Sequence, residues 1–289
     1  MRDKPFRLLL LVCLMHKADI GAANGRTAAA RYARDKGKHR LLYHFSVRQV
    51  RALPFGSPYN KTGQYAYNVI VGVLLILIFI SSIPAIAAFI WFRLARYPFS
   101  TLRFSAALLA GAASFFPALL LQNFFRAGSG IFRLSGKWGL FAEIFIRIAL
   151  TEELSRFLIL LILFAVILRA AGKSIGKTAN ATGFVAGLGF AILESAVYGA
   201  SSPGNALLRA FTAAPLHGAC GSRVGDSVVL LREHPARGIL RFLSAVAVHG
   251  VYNFMLNIPG RFPPIAAVLI VISALVSAIQ VIRNEMKAP

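Results

Sequence analysis

The chain has 289 residues, of which 57% are hydrophobic and only 15% charged, a balance too apolar for an ordinary soluble domain. Lys and Arg number 32 against 10 Asp and Glu, a net charge of +22, but the basic residues cluster between apolar stretches and no nucleic-acid-binding module accompanies them, so the charge reads as loops resting on anionic lipid. With only two cysteines, Cys13 and Cys220, a disulfide framework and a cysteine-based metal centre are both excluded.

The opening MRDKPFRLLLLVCLMH has the basic-then-apolar order of a signal sequence, yet it lacks a convincing cleavage site and is too short to span securely. It begins a basic N-terminal extension, residues 1–64, that reads as signal-like, as a cytoplasmic arm, or as a reading frame assigned too early a start. The extension ends in PFGSPYNKTG, rich in turn formers. Residues 65–289 form the membrane-embedded part. Hydrophobic segments follow at 65–92, 102–121, 138–168, 178–200, 206–231, 240–256 and 264–282. A helix of about 20 apolar residues crosses the roughly 30 Å hydrocarbon core, and the strand alternation of a membrane barrel is missing. The expected fold is therefore all-α: a polytopic membrane helical bundle of about seven or eight transmembrane helices with an intramembrane polar site.

Segment 138–168 is long enough to be a tilted or kinked span, or a re-entrant piece joined to a helix. In GFVAGLGFA, Gly183, Gly187 and Gly189 allow close helix packing in lipid. If Arg283 and Lys287 lie inside, alternation also puts inside the loops with Arg232 and Arg237, with Arg169, Lys173 and Lys177, and with Arg93 and Arg96. The neutral SSPGN stretch then falls outside. So does the basic run 26–61, against the positive-inside rule.

The scarce acids concentrate where they cost most. Glu143, Glu152, Glu153, Glu194 and Asp226 fall within the apolar segments, each at about 2.5–3.5 kcal/mol on insertion scales, and His217 and His249 share those surroundings. On a helix Glu152 and Arg156, four apart, share a face, so the arginine is expected to neutralise Glu152 while Glu153, about 100° round, points elsewhere. Two adjacent carboxylates in low dielectric repel, which favours a shared proton and a general base. The bland alternative is a buried Glu–Arg pair that locks two helices together.

Three more polar stripes follow. In GLGFAILESAVYG, Phe190, Glu194 and Tyr198 repeat at four-residue spacing; in LLRAFTAAPLHGACG, Arg209, Ala213, His217 and Gly221 do the same; in VAVHGVYNFML, His249 and Asn253 share a face as two hydrogen-bond donors. Phe190, Tyr198, Arg209 and Arg156 are supporting residues on these stripes. Cys220, three residues after His217, is a thiol nucleophile on paper and a small packing residue by preference. The set suffices for amide hydrolysis: one carboxylate takes a proton from water, a second carboxylate or a histidine manages the leaving amine, and His and Asn donors hold the oxyanion. This route requires no cofactor. The same residues could instead ligate zinc, with Glu152, Glu194, His217 and His249 as candidates, although no HExxH pattern is present.

Taken together and in order, TEELSR, GFAILESAVY, PLHGACG and HGVYN, within residues 140–256, resemble the PrsW family of intramembrane proteases. That family is marked by EExxK or EExxR, a GFxxxEN-like segment, a histidine helix and a final HxxxN helix. The resemblance implies a glutamic-type, membrane-embedded endopeptidase of the bacterial inner membrane. Its substrate would be a membrane-anchored anti-sigma factor, cut first in a regulated proteolytic cascade. It also implies kinship with the CAAX prenyl endopeptidase-like superfamily, and it makes Glu152 and Glu153 the catalytic carboxylates, with Arg156 in place of the usual lysine. Glu194, His217 and His249 then complete the site, and Asn253 is an oxyanion donor. Ser195 stands where the family commonly has Asn, which shortens a hydrogen-bonding partner.

Three other readings compete. A CAAX-type prenyl-protein or peptide-processing protease is disfavoured by Glu194 where that superfamily has His or Asn. A proton-coupled transporter would show inverted repeats, and no such internal symmetry is found. A catalytically dead scaffold would not be expected to keep all four motifs. The expected partners are a membrane-anchored protein or peptide substrate and the lipid bilayer, with no nucleic acid.

Overall fold

The computed structural model describes residues 61–128, 136–168, 178–200 and 203–287. The basic extension up to residue 60 and the loop with Arg169, Lys173 and Lys177 lie outside the described residues. The helices are α1 (Lys61–Leu94), α2 (Thr101–Gly128), α3 (Gly136–Phe141), α4 (Thr151–Ile162), α5 (Ala179–Gly199), α6 (Pro203–Phe211), α7 (Ala213–Glu233), α8 (Pro235–Asn257) and α9 (Phe262–Lys287), with no strand among the described residues. The protein is an all-helical integral membrane bundle.

By length and composition, Val71–Leu94, Thr101–Phe125, Ala179–Gly199, Pro235–Asn257 and Phe262–Glu285 can each cross a bilayer. Along their length α1 and α9 expose many large apolar side chains, among them Leu75, Ile76, Phe79, Ile265 and Leu269, as a lipid-facing surface requires. Segment 138–168 proves to be one helical run with two widened stretches. π-helical turns at Ala142–Leu150 and Leu163–Leu168 flank α4, and the backbone stays right-handed helical at Phe141, Leu150 and Leu163. The segment expected as a single span at 206–231 is instead broken. A turn at Thr212 divides the short α6 from α7.

α5 runs through the middle of the bundle, buried along nearly its whole length. Its residues are mostly small, so neighbouring backbones approach it on two sides. A Cβ on Gly183 would overlap the Gly221 carbonyl of α7, and one on Gly187 would overlap the His217 carbonyl. On the opposite side Ala186 meets Gly111 of α2. Such close approach replaces the hydrophobic driving force that lipid cannot supply between helices.

One end of the bundle is tied by a carboxylate on the last helix. Glu285 of α9 accepts hydrogen bonds from the backbone N–H of Asn180 at 2.9 Å, from Asn180 Nδ2 at 3.0 Å and from the Tyr97 hydroxyl at 2.9 Å. It caps the N-terminus of α5 from a distance of more than a hundred residues in sequence. Burial and the nearby Glu285 push the Tyr97 hydroxyl well above the usual tyrosine range, so it stays protonated and donating. Glu285→Ala is expected to lower unfolding stability by about 1–2 kcal/mol, the worth of a lost cap, read as an earlier thermal transition in detergent. Arg93, Arg96, Arg232, Arg237 and Arg283 are exposed at this same end, as the sequence alternation anticipated.

Candidate active site

The four polar stripes converge. α4 supplies Glu152, Glu153 and Arg156, α5 supplies Phe190 and Glu194, α7 supplies His217 and α8 supplies His249, and all seven side chains are buried. Counted at 1.5 Å per residue from the arginine-rich end, Glu194, His217 and His249 all lie about 21–24 Å along their helices. They share one level, nearer the opposite face of the bundle.

Arg156 corrects the sequence expectation. Its Nη1 pairs with Glu153, three residues back, and not with Glu152; both partners are fully buried. Spacings of three and four are equally open to a helical arginine, and the choice was made by neighbouring helices. Arg156 lies over the Phe190 ring, 4.7 Å from its centroid, and its Nη2 reaches to 3.3 Å from His217 Nδ1. Glu153 faces inward, with Oε1 2.8 Å from His249 Nδ1. Glu152 turns toward α2, where Gln122 Nε2 donates to its Oε1 at 2.9 Å, and its Oε2 lies 3.8 Å from His249 Nε2.

Partner chemistry fixes the imidazole tautomers. Arg156 can only donate, so His217 Nδ1 is an acceptor and Nε2 carries the proton, donated to Glu194 Oε2 at 2.7 Å. His249 Nδ1 likewise donates to Glu153. His217 thus sits between a donor and a carboxylate, whereas His249 has a carboxylate toward each ring nitrogen, Glu153 at 2.8 Å and Glu152 at 3.8 Å. The rings stand edge-to-face, 4.9 Å between centroids.

Arg209 joins from α6. Its Nη2 donates to Glu194 Oε2 at 2.5 Å, while its guanidinium lies over the Tyr198 ring at 4.2 Å. The break at Thr212 thus has a use, because the short helix carries a cation back onto the carboxylate that α5 presents to His217. Asn253 does not converge with His249. It is half-buried one turn further along α8, and its side chain makes no hydrogen bond among the described residues. Ser195 is buried beside Glu194, and its Oγ has no partner among the described residues. Cys220 is a packing residue, its Sγ against the Ala245 carbonyl at 3.6 Å. The remaining membrane acids sit apart from the site in pairs of their own, Glu143 with Arg147 and Asp226 with Arg241.

Gln122 was missed by the sequence reading. Its only signal is the amide pair Gln122–Asn123 in the otherwise apolar FFPALLLQNFF, just past the segment assigned to residues 102–121.

Glu152, His217 and His249 are also the described residues able to hold a metal, with one ligand atom from each within 4.8 Å of the others. By donor chemistry they suit a catalytic zinc centre, two imidazoles and one carboxylate with a fourth position open, once His217 Nδ1 exchanges its Arg156 contact for the ion. The carboxylates of Glu194 and Glu153 on the far ring nitrogens are the orienting partners that metal-bound histidines require. Glu194 is not among these grouped residues.

A family model described as PrsW family intramembrane metalloprotease matches residues 99–279 of the chain. No curated protein and no solved structure matches it.

Proposed function

Because this chain belongs to the PrsW family of intramembrane metalloproteases, we propose that its buried carboxylate–imidazole cluster hydrolyses a peptide bond of a membrane-anchored protein by activating water at Glu152. The observation that carries this reading is the division of labour between adjacent glutamates. Glu153 is immobilised between Arg156 and His249, while Glu152 is held by Gln122 and keeps its other oxygen 3.8 Å from His249 Nε2. Glu152 is the base that takes a proton from water, held in place by Gln122. Glu153 is a positioning residue that keeps His249 in one tautomer, and Glu194 with Arg209 does the same for His217.

Were the zinc ion that the family description implies bound, Glu152, His217 and His249 would hold it, Glu152 then serving as a ligand instead of the free base and the ion supplying a polarised water of lowered pKa. The cut falls near the membrane surface opposite the arginine-rich end, because the cluster lies nearer that face. The motif resemblance extends the reading to an anti-sigma factor as substrate, in a bacterial inner membrane.

The test is reconstitution of the purified protein in vesicles with a labelled single-pass substrate protein. Cleavage is expected to stop on chelation and return with zinc, with about one bound metal per chain that is lost in His249→Ala. Cleavage that persists in a demonstrably metal-free preparation would remove the metal from the mechanism and leave carboxylate-activated water. Hydrolysis confined to a prenylated peptide would replace the substrate class.

A further inference from the structure

Arg223 lies outside the cluster and its cation is unmatched. It occupies the middle of α7, ten residues from Ala213 and ten from Glu233, and so about 15 Å from either end. Its Nη1 donates to the Ala219 carbonyl at 2.9 Å and its Nη2 to Ser277 Oγ on α9 at 3.4 Å. Among the described residues no carboxylate pairs with it. Arg147, Arg156, Arg209 and Arg241 all have one. The half-buried guanidinium borders an open groove of about 370 Å³ between α7, α8 and α9, walled by Val248, Leu269, Ile270, Ser273 and Ala274. Leu269 is exposed on the outer surface of the bundle, so the groove opens sideways, toward lipid.

We propose that this groove receives a transmembrane helix of the substrate, and that an acidic side chain near the middle of that helix pairs with Arg223. The proposal rests on the proteolytic reading and adds a recognition rule to it. Depth selects the occupant: lipid headgroups sit at the ends of a span, about 15 Å from Arg223, whereas a spanning helix can carry a carboxylate to its level. A lone acid there is poorly solvated and a matched charge relieves that penalty, while the guanidinium gains the partner it lacks. Ser273 and Ala274 provide the small surface that lets a second helix approach.

The arrangement also sets a register. His217 lies six residues before Arg223 on α7, about 9 Å nearer the face where the cluster sits. The scissile bond should lie the same distance from the substrate's acid, roughly three residues away if the intervening chain is extended.

The experiment measures binding without cleavage, in the Glu152→Gln background. The full chain, labelled with a donor fluorophore, is placed in zwitterionic vesicles with a labelled single-pass Leu/Ala peptide carrying one central Glu, or Gln in its place. The Glu peptide is expected to bind about tenfold more tightly than the Gln peptide. Arg223→Gln should erase the preference, and Arg223→Glu should transfer it to a peptide with a central Lys, which also shows that the variant is folded. Equal binding of both peptides by Arg223, or a preference that survives Arg223→Gln, overturns the proposal. A preference seen only with anionic lipid present assigns the groove to headgroups and overturns it too. If the Glu peptide is preferred but the protein with Glu152 intact cleaves no substrate, the proteolytic reading fails and the groove assignment stands.

Discussion

Glu152→Gln is expected to lower kcat by about 10²–10⁴-fold, the contribution of a positioned general base, with little change in thermal stability. The substituted amide keeps an oxygen to accept from Gln122 Nε2, so the buried contact survives while the basic group is lost. Glu153→Gln should behave differently. It leaves the fully buried Arg156 without its counter-charge and removes the acceptor of the His249 Nδ1 proton, a loss of about 3–5 kcal/mol that should appear as unfolding or poor recovery of protein. Single-turnover cleavage together with melting temperatures for the two variants separates the roles. If Glu153→Gln is stable and inactive while Glu152→Gln still turns over, the two assignments must be exchanged.

The second large effect is expected at Gly187, an uncharged residue buried between α5 and α7. A Cβ there would collide with the carbonyl of His217 and the amide of Gly218, and helix backbone cannot step aside as a side chain can. Gly187→Ala should force α5 and α7 apart at the level of the site, at about 1–3 kcal/mol for overpacking. Displacing His217 by even about 1 Å can cost roughly 10²-fold in rate. Gly187→Leu should give no folded protein. Gly72→Ala is the matched control, since nothing lies within 4 Å of a Cβ at that glycine. Unfolding in detergent and cleavage rate are the two readouts. A Gly187→Ala variant with unchanged rate and stability would show that the α5–α7 contact does not position the site.

The polar constellation was legible because lipid makes it conspicuous. A soluble chain can place a glutamate anywhere on its surface. Here Glu152, Glu153, Glu194, His217 and His249 stand out against hydrocarbon, and each recurs on a helical stripe whose partner positions follow from the 3.6-residue period. The same contrast exposed Phe190, Tyr198 and Arg209, which do meet the site. It failed for Gln122, because uncharged amides, here Gln122 beside Asn123 at the end of an apolar run, are not distinctive. It overreached for Asn253, because sharing a face with His249 along α8 does not bring the two side chains to the same neighbour.

Composition and periodicity by themselves determined that this is a helical membrane protein and that its acids and histidines belong together, since the cost of burying charge in lipid depends on residue type and helical spacing alone. Only the tertiary structure decided which groups pair. Arg156 could reach a carboxylate three or four residues away at equal cost, and the inward turn of Glu153 toward His249, with Glu152 taken by Gln122 of another helix, settled the choice. The turn at Thr212 and the unmatched Arg223 in its groove were equally out of reach of local sequence. Both depend on where neighbouring helices end and which faces they leave open.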